Sequence, residues 1–316
     1  MITKTFLLPF CSTAQLFPRS LLLLGGAGIV LAYGLRKRLA PTPSPSDVAS
    51  PMLQPSRLRE LSGRARSVPR GRLAFVLFLF AIQGLANSAI EPVPRTDDWL
   101  RRHEAFVKLA RQAEPRVIFL GDSITDYWRR EDPNKGGLRV WEKYFVPLHA
   151  VNLGIASDRT QHLLWRIQNG EIDGVHPQAI VLMIGTNNTG LEPDKLTLRN
   201  TSAETAAGVA AIVQVLREKL PETRILLLAI FPRGEKQDPQ RTQVAEINAT
   251  LAKLEDGKAV HFLDLGAAFL AVDGSLSRDI MPDLLHPNER GYEIWATAIQ
   301  KPLRQLLDAA PVPPSK

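Results

Sequence analysis

The 316-residue sequence holds a single cysteine, Cys11. No intrachain disulfide can form, and everything after residue 11 lacks a cysteine metal site and a thiol nucleophile. Export is still compatible, because secreted domains of this size hold together without disulfides. A basic excess is missing from most of the chain as well. The net charge is +7, but residues 1–89 carry eleven of the 39 Lys and Arg and two of the 32 Asp and Glu. That leaves residues 90–316 with 28 basic and 30 acidic side chains, a net of −2, which offers nucleic acid no electrostatic footprint. No internal repeat is visible. Gly25-Gly26 and Gly136-Gly137 are not phosphate loops, and no G-x-G-x-x-G follows a predicted strand. Asp97-Asp98 and the scattered histidines show no metal-ligand spacing, so no metal or other cofactor is expected.

What is present begins with two apolar segments near the amino terminus. Residues 21–35 are rich in Leu and Gly, precede Arg36-Lys37-Arg38, and are short for a span of roughly 20 residues. Residues 41–45 read as a Pro-rich linker. Residues 73–82 form the second apolar run. Arg64, Arg66, Arg70 and Arg72 precede it, and Ala86-Asn87-Ser88-Ala89 follows with small residues at cleavage-site spacing. Basic, apolar and small segments in that order predict a secretory signal over residues 52–89, with translation starting at Met52 and residues 1–51 an uncertain leader. The rival expectation is a membrane anchor at residues 21–35 or 73–89.

The folded domain is expected over residues 90–310. Thr96-Asp97-Asp98 can cap a helix over about 99–112. Apolar runs predict strands at 117–120, 150–153, 179–184, 225–230 and 260–263. Between them, helical spacing predicts helices over 159–169, 202–220, 239–254 and 290–307, and residues 132–137 read as a loop. Residues 311–316 read as a frayed tail. Strands alternating with helices predict an α/β domain with a mostly parallel five-stranded sheet and a site beyond the strands' carboxyl ends.

Three strands run into suggestive residues: Gly121-Asp122-Ser123, Asn152-Leu153-Gly154 and Gly185-Thr186-Asn187-Asn188. In a parallel sheet these converge on one edge. Ser123 sits where the chain turns from strand to helix, a position that exposes a hydroxyl near amide donors. The N–H groups of Ser123 and Gly154 and the side-chain amide of Asn187 would suit a developing oxyanion, with Asp122 and Asn188 in support. Gly154 is expected to be glycine because a side chain would block the substrate. Taken singly, a capped turn and an Asn-Asn-Thr-Gly turn explain each block. Of six histidines, His286 follows Asp283 by three in a Pro-stiffened loop before the last helix, so the carboxylate can orient the ring. His162 reads as structural or groove-lining. Trp128, Trp141, Tyr144, Trp165 and Trp295 fit core packing better than a sugar groove.

The ordered blocks G-D-S, N-x-G, G-x-N and D-x-x-H resemble those of the SGNH, or GDSL, hydrolase superfamily. The runs 152–155, 164–171, 185–188 and 231–236 resemble one branch in particular, the catalytic subunits of intracellular platelet-activating factor acetylhydrolase. Similarity spans roughly residues 98–308. The resemblance implies a three-layer α/β/α flavodoxin-like domain and a metal-independent serine esterase. It implies Ser123 as nucleophile, His286 as base, Asp283 as its partner, and Gly154 and Asn187 in the oxyanion hole. It also implies that a homodimer can form. Exported relatives of bacterial type suggest acylated carbohydrate esters as substrates, by analogy only. A lipid acylhydrolase, a thioesterase, or a non-catalytic binding domain of this fold are the alternatives.

Overall fold

The computed structural model describes residues 87–310 and 312. The uncertain leader (1–51), the rival anchor at 21–35 and all but the last three residues of the predicted signal or anchor ending at residue 89 lie outside them; residues 87–89 are described, and Ala89 is buried. Most of the expected frayed tail also lies outside; Val312 alone is described there, and it is buried. Among the described residues, no helix is long and apolar enough to cross a membrane.

Five strands form one all-parallel sheet: β1 (Val117–Gly121), β2 (Ala150–Asn152), β3 (Ala179–Met183), β4 (Arg224–Leu228) and β5 (Val260–Leu263). Their order is β2-β1-β3-β4-β5. The order reverses at β1, and the crevice beyond the carboxyl ends of β1, β2 and β3 is where such sheets place a site. Register brings Phe119 beside Asn152 and Gly121 beside Met183, so the three motif-bearing strands end level with one another.

Alternation along the strands builds two apolar cores. Ile118, Leu120, Ile180, Leu182, Ile225 and Leu227 face one side. There they pack on α1 (Asp97–Ala113), α4 (Thr160–Gln168), α5 (Ser202–Lys219) and α6 (Pro239–Leu251). Val117, Phe119, Val181, Leu226 and Leu228 face the other, against α3 (Leu138–Tyr144) and α7 (Glu289–Asp308). The strands are buried on both faces, which is why their sequences read as unbroken apolar runs. The result is the three-layer arrangement expected of the sequence. Three of the predicted strands run past the observed ends: residues 153, 184, 229 and 230 are buried but lie beyond β2, β3 and β4.

Helix α3 had no counterpart in the sequence reading. Val140 and Trp141 turn inward; Trp141, Phe145 and Trp295 pack around Phe119 at ring separations of 4.8–6.4 Å, and Trp128 packs on Trp141 and Trp295 at 5.9 and 4.9 Å. These aromatics are core, as expected. Trp165 likewise packs on Trp99, 5.3 Å away.

Candidate active site

Ser123 opens a one-turn helix, α2 (Ser123–Asp126), directly after β1. Asp122 caps it: Oδ1 accepts the Ile124 N–H at 2.9 Å. As the first helical residue, Ser123 has an amide with no acceptor inside the helix. Tyr292 of α7 donates its hydroxyl to the Ile124 carbonyl at 2.7 Å, which ties this short helix to the far layer.

The structure brings Ser123, His286 and Asp283 together across 163 residues of chain. Ser123 Oγ lies 2.9 Å from His286 Nε2, and His286 Nδ1 lies 2.6 Å from Asp283 Oδ2. Asp283 Oδ1 accepts the Leu285 and His286 amides at 3.0 and 2.7 Å, so one carboxylate shapes the turn and aims the ring. Burial raises the Asp283 pKa, but the His286 ring and these amides outweigh it and hold the carboxyl below its usual range. An ionised partner at Nδ1 fixes the proton there and leaves Nε2 free to accept the serine proton. Leu284, inside the turn, takes a left-handed φ of 58° with its side chain buried, and its carbonyl accepts the Gly234 amide at 2.8 Å. Tyr127 lays its ring 4.8 Å from the imidazole.

The expected oxyanion donors need correction in two respects. The Gly154 N–H is already donated to Asn152 Oδ1 at 2.9 Å, a turn closed by the side chain two residues earlier. Asn152 in turn donates Nδ2 to the Thr125 carbonyl at 2.8 Å, which braces the nucleophile helix. The reason for glycine at 154 also differs. A Cβ there would lie 2.6 Å from the Asp126 amide nitrogen and 2.8 Å from Thr125 Cβ. Glycine lets β2's exit loop touch the nucleophile helix; it does not keep substrate space open. The Asn187 side chain donates one proton to the Asp158 carbonyl at 2.9 Å and keeps the second. Asn188 is fully buried and bonds Thr160, Gln161 and Asn200, so it holds loops together away from the reacting hydroxyl. His162 accepts the Arg159 amide at Nδ1, and burial together with Arg95, Arg159 and Arg166 pushes its pKa down to about 3. That makes it a neutral structural ring.

Sequence reasoning missed the scaffold behind these groups. Arg166 is fully buried; it pairs with Asp158 at 2.9 Å and with Glu171 more closely still. Its guanidinium also donates to the Leu153 carbonyl at 2.7 Å and the Gly121 carbonyl at 3.4 Å. Asp158 carries the Asn187 amide, so one buried cation reaches the bases of all three converging loops. The available signal was an arginine set among core residues Leu163, Leu164 and Ile167 of one helix. Arg233 was missed too: Nη1 donates to the Thr186 carbonyl and hydroxyl at 3.1 Å each, holding the turn that bears Asn187.

Asp122 gives a stability test. Burial, reinforced by Asp158 and opposed by the Ile124 amide and Arg233, raises its pKa from 3.8 to about 7. Between those values the folded chain holds a proton that the unfolded chain has released, so stability falls as pH rises through the window. Asp122→Asn, which keeps the acceptor for Ile124, is expected to raise the melting temperature by about 5 °C or more near pH 8 and far less near pH 4. Equal gains at both pH values in thermal denaturation would refute the buried, protonated carboxyl.

A serine, an imidazole and a carboxylate in hydrogen-bonded sequence, on the switch point of a parallel sheet, define a hydrolase of the serine-nucleophile kind. Residues 119–294 match the GDSL-like lipase/acylhydrolase family, and the chain belongs to that family. It is 35% identical over 224 residues to platelet-activating factor acetylhydrolase IB subunit alpha2 of Homo sapiens, covering 71% of this chain and 91% of that protein. It is 34% identical over 232 residues to subunit alpha1 of Homo sapiens, covering 72% and 94%. A GDSL-like lipase from Bacteroides thetaiotaomicron shares the fold with a TM-score of 0.53 at 18% identity, covering 65% of this chain and 97% of that one. The protein is therefore a carboxylic ester hydrolase of the GDSL acylhydrolase type.

Proposed function

We propose that Ser123 attacks the acyl carbonyl of an ester, and that the protein removes short acyl groups, acetyl above all, through an acyl-serine intermediate. His286 takes the Ser123 proton as the Oγ–carbonyl bond forms, and returns it to the alcohol oxygen as the ester bond breaks. Water then releases the acid by the same steps in reverse order. Asp283 stabilises the imidazolium. The Ser123 amide and the remaining proton of the Asn187 side chain serve the oxyanion, with the Gly154 amide available only if Asn152 yields it. The observation that carries this reading is the pair of contacts at 2.9 and 2.6 Å joining Ser123, His286 and Asp283. The acetylhydrolase names of the two human relatives support acetyl as the acyl group.

Para-nitrophenyl esters of increasing acyl length test it. The expected result is kcat/KM falling by about tenfold or more from acetate to octanoate, with a fluorophosphonate adduct on Ser123 by mass spectrometry. A long-acyl optimum would instead favour a lipid ester, a reading that rests on the exposed Leu191, Leu196 and Leu198 of the hairpin joined to Asn187 through Arg199. Acylated carbohydrates remain our preferred natural class of alcohol. We also read the chain as exported or anchored through its first 89 residues; a mature terminus at Met1 would reject cleavage.

A further inference from the structure

A cavity of about 490 Å³ opens directly against the imidazole of His286. The loop 282–286 forms one wall, and Tyr127, Arg130, Asn134 and Lys135 form the other. On the reading above, His286 hands its proton to the departing alcohol, so the alcohol portion of the ester must lie on this side of Ser123. What lines this cavity therefore selects the alcohol.

Its polar character is one-sided. Arg130 makes no ion pair among the described residues and rests its guanidinium over the Tyr127 ring, 3.1 Å from the centroid. Tyr127 in turn packs on His286 at 4.8 Å, which places the cation next in line after the catalytic ring. Lys135 is exposed, and its only carboxylate partner among the described residues, Asp132, stands 3.8 Å away. The one acid in the walls, Asp283, is committed to the His286 ring and two backbone amides.

The backbone that carries the cations is also held in place. The Lys135 amide bonds the Asp132 carbonyl at 2.9 Å, and the Asn134 amide bonds Asp132 Oδ1 at 2.9 Å. The Gly137 and Leu138 amides return to the carbonyls of Tyr127 and Arg130 at 3.3 and 3.2 Å. A Cβ on Gly136 would fall 2.3 Å from Arg130 Cβ, so the loop lies flat on the residue that carries the charge. The Glu289 amide bonds the Pro133 carbonyl at 2.8 Å and fastens the loop to the helix after His286. Two cations on a braced loop, an aromatic face and an amide, facing the leaving-group side, match an oxyanion on a flat or ring-bearing alcohol.

We propose that this cavity binds an anionic group carried by the alcohol portion of the substrate, so that the enzyme selects acyl esters of acidic alcohols. The anion is a carboxylate or a phosphate. The inference rests on the catalytic reading of Ser123 and His286.

Three aryl acetates test it on the purified protein: para-acetoxybenzoate, para-acetoxyphenyl phosphate, and the neutral methyl ester of para-acetoxybenzoate. At low salt, kcat/KM for at least one anionic ester is expected to exceed that of the methyl ester by about tenfold, the scale of two partly exposed ion pairs. The preference should shrink as salt screens it. Which anion is preferred tells a sugar acid from a phosphorylated alcohol. The double variant Arg130→Gln/Lys135→Gln is read by the ratio of anionic to neutral rates, in which any general loss cancels; that ratio should fall to near one. Equal rates for all three esters, or a ratio unchanged in the double variant, would overturn the anion site while leaving the catalytic reading intact. No turnover of any ester would overturn both.

Discussion

Ser123→Ala is expected to lower kcat for ester hydrolysis by roughly 10⁴- to 10⁶-fold, with the fold unchanged. The change removes one oxygen. Ser123 is 5% exposed and opens a helix, a place where alanine takes up the same backbone. Its hydroxyl meets the His286 ring alone among the side-chain contacts described, so no buried partner is stranded beyond a nitrogen that also faces the cavity. The melting temperature should move by no more than a few degrees, and fluorophosphonate labelling should vanish. Turnover above about one part in a hundred of the parent rate would mean that another group attacks the ester.

Asp283→Asn is expected to cost roughly 10³- to 10⁴-fold in kcat. The turn geometry gives the reason. Asp283 Oδ1 accepts two backbone amides, and Oδ2 faces Nδ1 of His286. An asparagine keeps its oxygen on the two amides and so presents NH₂ to Nδ1. The ring must then accept at Nδ1 and carry its proton on Nε2, where it can no longer take one from Ser123. The turn survives because its two backbone bonds survive. KM should change little, since the carboxylate's partners are the ring and the chain. A kcat within tenfold of the parent would show that the imidazole keeps its tautomer without the charge.

Much of this site was legible because buried strands are easy to see, even where their ends shift by a residue or two. Ile118, Leu120, Ile180 and Leu182 announce buried strands. The residues following those runs fall on one edge once the sheet is parallel. Asp283 and His286 are three apart, so their contact is local and readable. Partnerships that span the fold were not readable. That Gly154 faces a helix backbone, that Asn152 takes its amide, and that Asp158 takes a proton of Asn187 all depend on loops meeting in space. Helix α3 escaped because it is short and begins after two glycines; its stability comes from Trp141 packing on Phe119 and Phe145 and not from a long periodic face. The charge of Arg166 hid it, since a lone arginine on a helix is usually solvated.

That same arginine has a consequence for how such an enzyme can diversify. Gly121, Leu153 and Asp158 are bolted to one guanidinium inside the domain, whereas the loop bearing Arg130 and Lys135 is fastened separately, to Tyr127 and the start of the last helix. Reaction geometry and choice of alcohol thus hang on different anchors. Exchanging the outer loop for another can redirect the enzyme to a new class of ester while the inner clamp goes on holding serine and amide donors in register.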